Sequence, residues 1–570
     1  METWGGRLRR LVLAVLAYGA VAAVVCLPIA AEQSVEDARF QDRLGTLPVE
    51  VSLARNGVST LDTGVLGRLY WERTGVGGFG ASLRATGPPE AGGTLTSYVT
   101  PKFLRANTEL VNDPGEVARI YGGELRNAVL HHLLWYTLLA ALVGGLVLTA
   151  VSRGRPPPMP PWADTTRRQV GLVAVGLVVC LALSTLIARQ LFIGWAGSDE
   201  IGTTYAMPGV DRLSFSSPQA REVAQQIQPF VEKNTTRIDE QAAAYEDTAK
   251  ASLDTTIPAH ADGLRPRSDE RVVLAEADPQ GSLVATKVRT ALYPLLQETL
   301  GEDAIALRTI SGDVSSNGAV AEKGFIALES AASPGIPVVA VKGDHDSDTT
   351  VDQLRDDDVQ VPDLETVDAG DLAVSGAADP AFKTLFGGLV TNDSGTSEED
   401  IGKALRKAVD PDLAGIVLLH QPRAVDGYLG IDGRSDLDAT AGHLTTPWDD
   451  GIPDVPPGSV NYGHLHDPDG PWVLWNTDGD EVTWTVVSQL GTAGGVLETP
   501  TFNRFSTPFS TPLKPITVQL QYVNTKSGLQ TGYASIQIST DGTVTVQDRI
   551  SLGLPGGQPA PRDSLRLSAG

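Results

Sequence analysis

Cysteine is almost missing: two occur in 570 residues, Cys26 and Cys180, and both lie in apolar runs. That excludes a disulfide framework and a Cys-rich zinc site. Basic residues are also scarce, 44 Lys and Arg against 69 Asp and Glu, and the net charge of −25 excludes general nucleic-acid binding. There is no Gly-x-x-x-x-Gly-Lys-Ser/Thr loop, no His-Glu-x-x-His and no Gly-x-Ser-x-Gly, so three common catalytic devices are absent. The chain is nevertheless not of disordered composition, because hydrophobic residues make up 42% and charged residues 20%.

The positive charge is missing from only part of the chain. Residues 1–190 carry +4 and the remainder −29. Two environments are implied, with a boundary near residue 190. Three runs free of Asp, Glu, Lys and Arg lie before it: Leu11–Ala31, Ala128–Val151 and Val170–Ala188. Each is long enough for a transmembrane helix, which needs about 20 residues. The first is longer than the apolar part of a signal peptide and reads as an uncleaved anchor. Arg7, Arg9 and Arg10 precede it, and Arg153, Arg155, Arg167 and Arg168 lie between the second and third runs. Positive loops remain cytoplasmic. The two clusters agree on three spans in the cell membrane with a cytoplasmic N-terminus and everything after about residue 190 outside the cytoplasm.

The expected organisation follows. Residues 1–31 form the anchor and 32–127 a small extracytoplasmic domain of mixed type. Residues 128–190 hold two spans joined by a short cytoplasmic loop, and 191–267 a stalk of linker helices. Residues 268–552 form an α/β domain, and 553–570 a disordered tail.

From residue 270 short apolar runs alternate with helical spacing, as at Leu283, Val284, Val288, Leu292, Leu295 and Leu296. Each of five successive strand-like runs ends in Asp or His. The residues are Asp278, Asp313, Asp344 with His345, His420, and His464 with His466. In α/β sheets ligands bind beyond the carboxyl ends of the strands, so these side chains are expected to converge. Four of the six histidines outside the apolar runs belong to this set. Carboxylates with imidazoles and no thiolate suit divalent ions of the Mn, Fe or Zn class. Two such ions, sharing a carboxylate, clamp a phosphoryl group and acidify bound water. His443 has no second histidine beside it and is read as outside the site. The Asp- and Pro-rich stretch Ala424–Pro457 is expected to overhang it.

Together Asp278-Pro279-Gln280, Gly312-Asp313-Val314-Ser315-Ser316-Asn317-Gly318, Gly343-Asp344-His345-Asp346, His420-Gln421-Pro422 and Gly463-His464-Leu465-His466 resemble, in order and spacing, the motifs of the calcineurin-like metallophosphoesterase superfamily. Gly491-Thr492-Ala493-Gly494-Gly495 is similar to the turn that follows the family's last motif, and the resemblance covers roughly residues 268–552. It implies a four-layer αββα sandwich of the α/β (α+β) class, behind a three-helix transmembrane region, with two divalent metals at one edge. Asp313 would bridge them. Asp278, Gln280 and His466 would complete the first site, and Asp344, His420 and His464 the second. His345 would face the leaving group with Asp346 orienting it, and metal-activated hydroxide would attack phosphorus.

Two positions depart from the family pattern. Gln280 stands where the family has His, and a carboxamide is the weaker ligand, so the second site is expected to bind better than the first. Asp344 stands where the family has Asn and adds a charge that favours a cation. The implied activity is an extracytoplasmic phosphoesterase acting on a small phosphate mono- or diester or a lipid phosphate. The alternative is an inactive descendant that binds a ligand or an envelope partner.

Overall fold

The structure, a computed structural model, describes residues 4–44, 47–55, 57–62, 68–71, 79–86, 114–153, 203–206, 214–301, 303–316, 318–383, 390–392, 394–411, 413–448, 455–497 and 511–568, with isolated helical positions between 175 and 186. The chain divides into two compact units, one of Met1–Pro89 with Ala106–Phe230 and one of Val231–Gly570 with Glu90–Arg105.

In the first unit, α1 (Trp4–Asp37) and α2 (Pro114–Val151) carry the first two apolar runs and extend beyond them. Stretches of 28 and 31 residues in these helices are long and apolar enough to cross a membrane. The helices approach closely at glycines. A Cβ on Gly19 would stand 2.7 Å from Ala141 O, and one on Gly145 would stand 2.6 Å from Val15 O. Small residues of this kind let two backbones touch. The third run, Val170–Ala188, lies outside the described residues except at isolated positions.

The sheet of this unit is made from β1 (Arg39–Leu44), β2 (Leu47–Ala54), β3 (Ser59–Asp62), β4 (Arg68–Trp71), β5 (Gly80–Ala85), β6 (Tyr205–Ala206) and β7 (Ser214–Phe215), in the order β1-β2-β5-β3-β4-β7-β6. The segment 191–267 is therefore not only a helical stalk, because it supplies two strands here.

It also supplies part of the second unit. α3 (Pro218–Ala259) buries Tyr245, Ala249, Leu253 and Ile257, one residue in four, against the second unit's first sheet. Ala and polar residues dominate the sequence there, so the apolar stripe is narrow and reads as a stalk. After the short α4 (Ala261–Leu264) come β8 (Glu270–Glu276), α5 (Leu283–Leu300), β9 (Ile305–Ile310), α6 (Lys323–Ser330), β10 (Val338–Ala340) and α7 (Asp348–Asp356). Next are β11 (Glu365–Ala369), β12 (Leu372–Gly376), the small pair β13 (Phe382–Lys383) and β14 (Val390–Thr391), and α8 (Glu398–Ala408). β15 (Gly415–Leu418), α9 (Pro422–Leu429), α10 (Arg434–Thr440), β16 (Gly458–Tyr462), β17 (Asp469–Asn476) and β18 (Glu481–Gln489) follow. The chain ends with β19 (Ile516–Asn524), β20 (Gln530–Ile538), β21 (Val544–Ser551) and β22 (Ala560–Pro561).

The second unit holds two mixed sheets, β10-β9-β8-β19-β20-β21 and β11-β12-β15-β16-β18-β17 with β22 beside β18. β8, β9 and β10 are mutually parallel, and so are β12, β15, β16 and β18. Residues on β8 alternate between the two faces of its sheet, as a strand's period of two requires. Val272 and Leu274 meet α3 and α5, while Val273 packs inward with Leu307, Val374, Ile416 and Leu418. On the far side Leu405, Val425, Tyr428 and Leu437 from α8, α9 and α10 cover Val417, Val460 and Leu474. The layers run helices, sheet, sheet, helices.

Two expectations are corrected. The first half of Ala424–Pro457 does not overhang as a loop. Its Val425, Tyr428, Leu429 and Leu437 recur at helical spacing and are buried. Residues 449–454 lie outside the described residues. The tail 553–570 is not disordered over its described part: β22 pairs Ala560 with Val482, and Leu554 is buried beside Trp484.

Candidate metal centre

Parallel strands deliver the polar residues to one edge. Asp278 follows β8, Asp313 follows β9, Asp344 follows β10, His420 follows β15 and His464 follows β16. The backbone turns there by left-handed conformations. Asp278, Gln280, Asp313, His464 and His466 have φ of 54°, 43°, 55°, 71° and 58°, and they are five of the nine non-glycine residues with positive φ among the described residues. Each such conformation costs of order 1–3 kcal/mol and persists only where its surroundings fix it.

Those surroundings are visible at Asp278. Its carbonyl accepts from Gly494 N at 3.0 Å and Thr492 Oγ1 at 2.9 Å, and its carboxylate accepts from His464 N at 3.1 Å. The glycines before the ligands act differently from one another. Gly312 has a φ of 88° and makes the sharp turn expected of it. Gly343 and Gly463 serve by close approach, since a Cβ on them would stand 2.3 Å from Asp313 Oδ1 and 2.7 Å from Asp278 Oδ2.

The edge gathers two three-residue sets, Asp278 with Asp313 and His466, and Asp344 with His420 and His464. A third, Asp313 with Asp344 and His345, joins them, and within each set the ligand atoms lie within 4.8 Å of one another. Asp278, Asp313 and Asp344 are at most 2% exposed. Three carboxylates buried together require compensating positive charge.

Imidazole orientation is set from behind. His420 Nδ1 lies 2.9 Å from Ser311 O and His466 Nδ1 lies 3.1 Å from Val496 O. A carbonyl only accepts, so both Nδ1 atoms carry protons and both Nε2 atoms face inward, the arrangement metal-binding histidines adopt. His420 Nε2 stands 3.1 Å from Asp344 Oδ1 and 3.3 Å from Asp313 Oδ1. Burial lowers the His420 pKa, but these carboxylates raise it by more, and the net lies well above the ordinary histidine value. For Asp344, burial raises the pKa and hydrogen bonds from His420 and His464 lower it by more, to a net well below the carboxylate range.

Gln280 Nε2 donates to Asp313 Oδ2 at 3.0 Å and to His466 Nε2 at 3.3 Å. Its Oε1 is buried with no partner among the described residues. A half-turn of the amide would bring its oxygen toward Asp313 and His466, a position it can hold only against a cation, since it would otherwise face another acceptor. The donors present, three carboxylates, inward Nε2 atoms and one unpartnered amide oxygen, fit divalent ions of the Mn, Fe or Zn class.

His345 is 3% exposed, with Nε2 3.9 Å from Asp313 Oδ2. Asp346, expected to orient it, is turned elsewhere. Its carboxylate accepts from Val314 N, Ser315 N, Ser315 Oγ and Gly343 N at 2.8–3.1 Å, and so ties the loop after β9 to the loop after β10. His464 is the most open of the ligands, its side chain 17% exposed. His443 meets Trp448 edge to face, with ring centroids 5.8 Å apart.

Two features escaped the sequence reading. Asp379, just after β12, accepts from Ala381 N at 2.8 Å while its Oδ2 has no partner among the described residues. Burial pushes its pKa up, His420 opposes and Asp344 adds, and the result is about 6. The Asp379-Pro380 pair directly after a strand was the available signal. The second feature is a fully buried cluster of Arg289, Arg308, Glu276 and Glu329 beneath the site. Arg289 Nε also donates to Ala493 O at 3.1 Å, bracing the loop that holds Asp278.

The chain matches no protein-family model and no curated protein sequence.

Proposed function

We propose that this chain is a membrane-anchored, metal-dependent phosphoesterase of the calcineurin-like kind, acting outside the cytoplasm on a small or lipid phosphate ester. The observation that carries the reading is the pair of three-residue sets joined through Asp313 and Asp344 at one sheet edge. Two divalent ions held there supply Lewis acidity toward a phosphoryl group and an acidified water. The protein's own part is to hold them and admit the ester. Asp313 belongs to the first set and to the set that joins it to Asp344, the Nε2 atoms of His420 and His466 face inward, and His464 lies where solvent reaches the edge. The two apolar helices support the anchor, and the arginine clusters flanking the apolar runs support the outward orientation.

Full-length protein in detergent, supplied with Mn²⁺, should hydrolyse an aryl phosphomonoester or diester, and Asp313→Asn should abolish turnover. Absence of turnover across a panel of divalent metals and esters would contradict the reading. One observation favours a second reading, a binding module without turnover: Gln280 turns an amide donor into the first set. That reading expects one bound ion per chain and no hydrolysis.

A further inference from the structure

A second recess lies where the two sheets of the second unit part. Along most of their inner faces they meet through Val273, Leu307, Val374, Ile416, Leu418 and Val523. At one end of β20 and β21 Trp484 and Val486 still meet Leu529, Leu552 and part of Tyr533; beyond that cluster the facing side chains turn polar. Gln519 pairs across with Ser535 and Ser535 with Gln547, while Thr517 pairs with Gln537 and Gln521 with Tyr533. Strand neighbours in register share a face, so these side chains form one polar surface. It borders a cavity of about 250 Å³ whose opposite wall is Pro468, Asp469, Gly470, Gln489 and Gly491. Gln489 Nε2 donates to Asp467 O at 2.6 Å, which joins that wall to the loop carrying His464 and His466.

The lining selects its occupant by elimination. Among the described lining residues only Asp469 is charged, and Arg434 neutralises it at 2.8 Å. A phosphate, carboxylate or ammonium would find no counter-charge. An acyl chain would strand the amides without partners. What remains is a neutral molecule rich in hydroxyls, for which amides offer both donors and acceptors and Tyr533 an aromatic face. The hydrogen-bonding capacity is partly unspent. Gln519 Oε1 accepts from Gln521 Nε2 at 2.7 Å, and the half-buried amides of Gln519 and Gln537 both line the cavity.

We propose that this cavity is a binding site for a neutral sugar ring, separate from the metal centre and adjoining its loop. Gln519 and Gln537 hydrogen-bond the hydroxyls and Tyr533 packs on the ring.

Saturation-transfer NMR on the full chain tests this, in lauryldimethylamine oxide rather than a sugar-headed detergent and with metals removed by EDTA. The probes are methyl β-glucoside, N-acetylglucosamine and myo-inositol. At least one should bind saturably, in roughly the millimolar range expected of a few neutral hydrogen bonds. Gln537→Leu and Gln519→Leu should each weaken it by about tenfold, with the melting temperature unchanged. No saturable transfer from any probe, or transfer that survives both substitutions, would overturn the proposal. The probes carry no phosphate and the metals are absent, so the outcome is independent of the phosphoesterase reading.

Discussion

Gln280 Nε2 sits 3.0 Å from Asp313 Oδ2 and turns a donor toward the carboxylate that links the first ligand set to Asp344, while Gln280 Oε1 is left buried without a partner among the described residues. A cation between Asp278, Asp313 and His466 would require that amide to turn. Two Mn²⁺ binding steps of unequal strength should result, resolved by isothermal titration of the full chain. Gln280→His should tighten the weaker step by about tenfold or more, the scale on which ligand-shell changes act. Gln280→Leu should remove that step and spare the other. Equal changes in both steps would show that Gln280 does not belong to the first set.

His420 makes the site sensitive to pH. Burial lowers its pKa, but Asp313 and Asp344 hold the imidazolium well above the ordinary value. A raised folded-state value contributes stability that is complete below about 6.5 and lost as pH rises through the folded value. His420 should therefore make the metal-free protein less stable on the alkaline side. A cation taking the Nε2 lone pair displaces that proton, so metal affinity should rise with pH and binding should release protons. Titrations in buffers of different ionisation enthalpy measure the release. His420→Asn should reduce it by about one proton; an unchanged release would assign the proton elsewhere.

How much of this was legible depends on the residue. Asp278, Asp313, Asp344, His420 and His464 were legible because each ends a short apolar run, and parallel strands carry such ends to one edge. α5 was legible from Val284, Val288, Leu292 and Leu296, one residue in four. Asp346 was read as orienting His345, but its carboxylate is held by backbone N–H groups of two loops and by Ser315 Oγ, which no sequence pattern records. The helices α9 and α10 were hidden by Asp on their outer faces and by Gly427, which is buried where α9 meets α8. The buried cluster was hidden because Arg and Glu are ordinarily surface residues.

That cluster predicts a stability effect. Arg289 is fully buried and meets Glu276 at 2.9 Å and Glu329 at 2.7 Å. Arg289→Met leaves two carboxylates short of a partner, which should cost about 3–5 kcal/mol in chemical denaturation. Because Arg289 also braces Ala493, metal affinity should fall with it. A loss below about 1 kcal/mol would show that Arg308 alone neutralises both carboxylates.

The proposed orientation is tested with reporters. A periplasm-type alkaline phosphatase fusion after residue 570 should be active, and one within 155–161 inactive, if three spans place the N-terminus in the cytoplasm. Activity at both fusion points would mean that one of the runs does not span.

The central claim is that this edge holds two cations sharing Asp313. Electron paramagnetic resonance of the Mn²⁺-loaded full chain tests it most directly. The account predicts the spectrum of a spin-coupled Mn²⁺ pair in the native protein, and its replacement by that of isolated Mn²⁺ in Asp313→Asn. Only isolated Mn²⁺ in the native protein, at saturating metal, would contradict it.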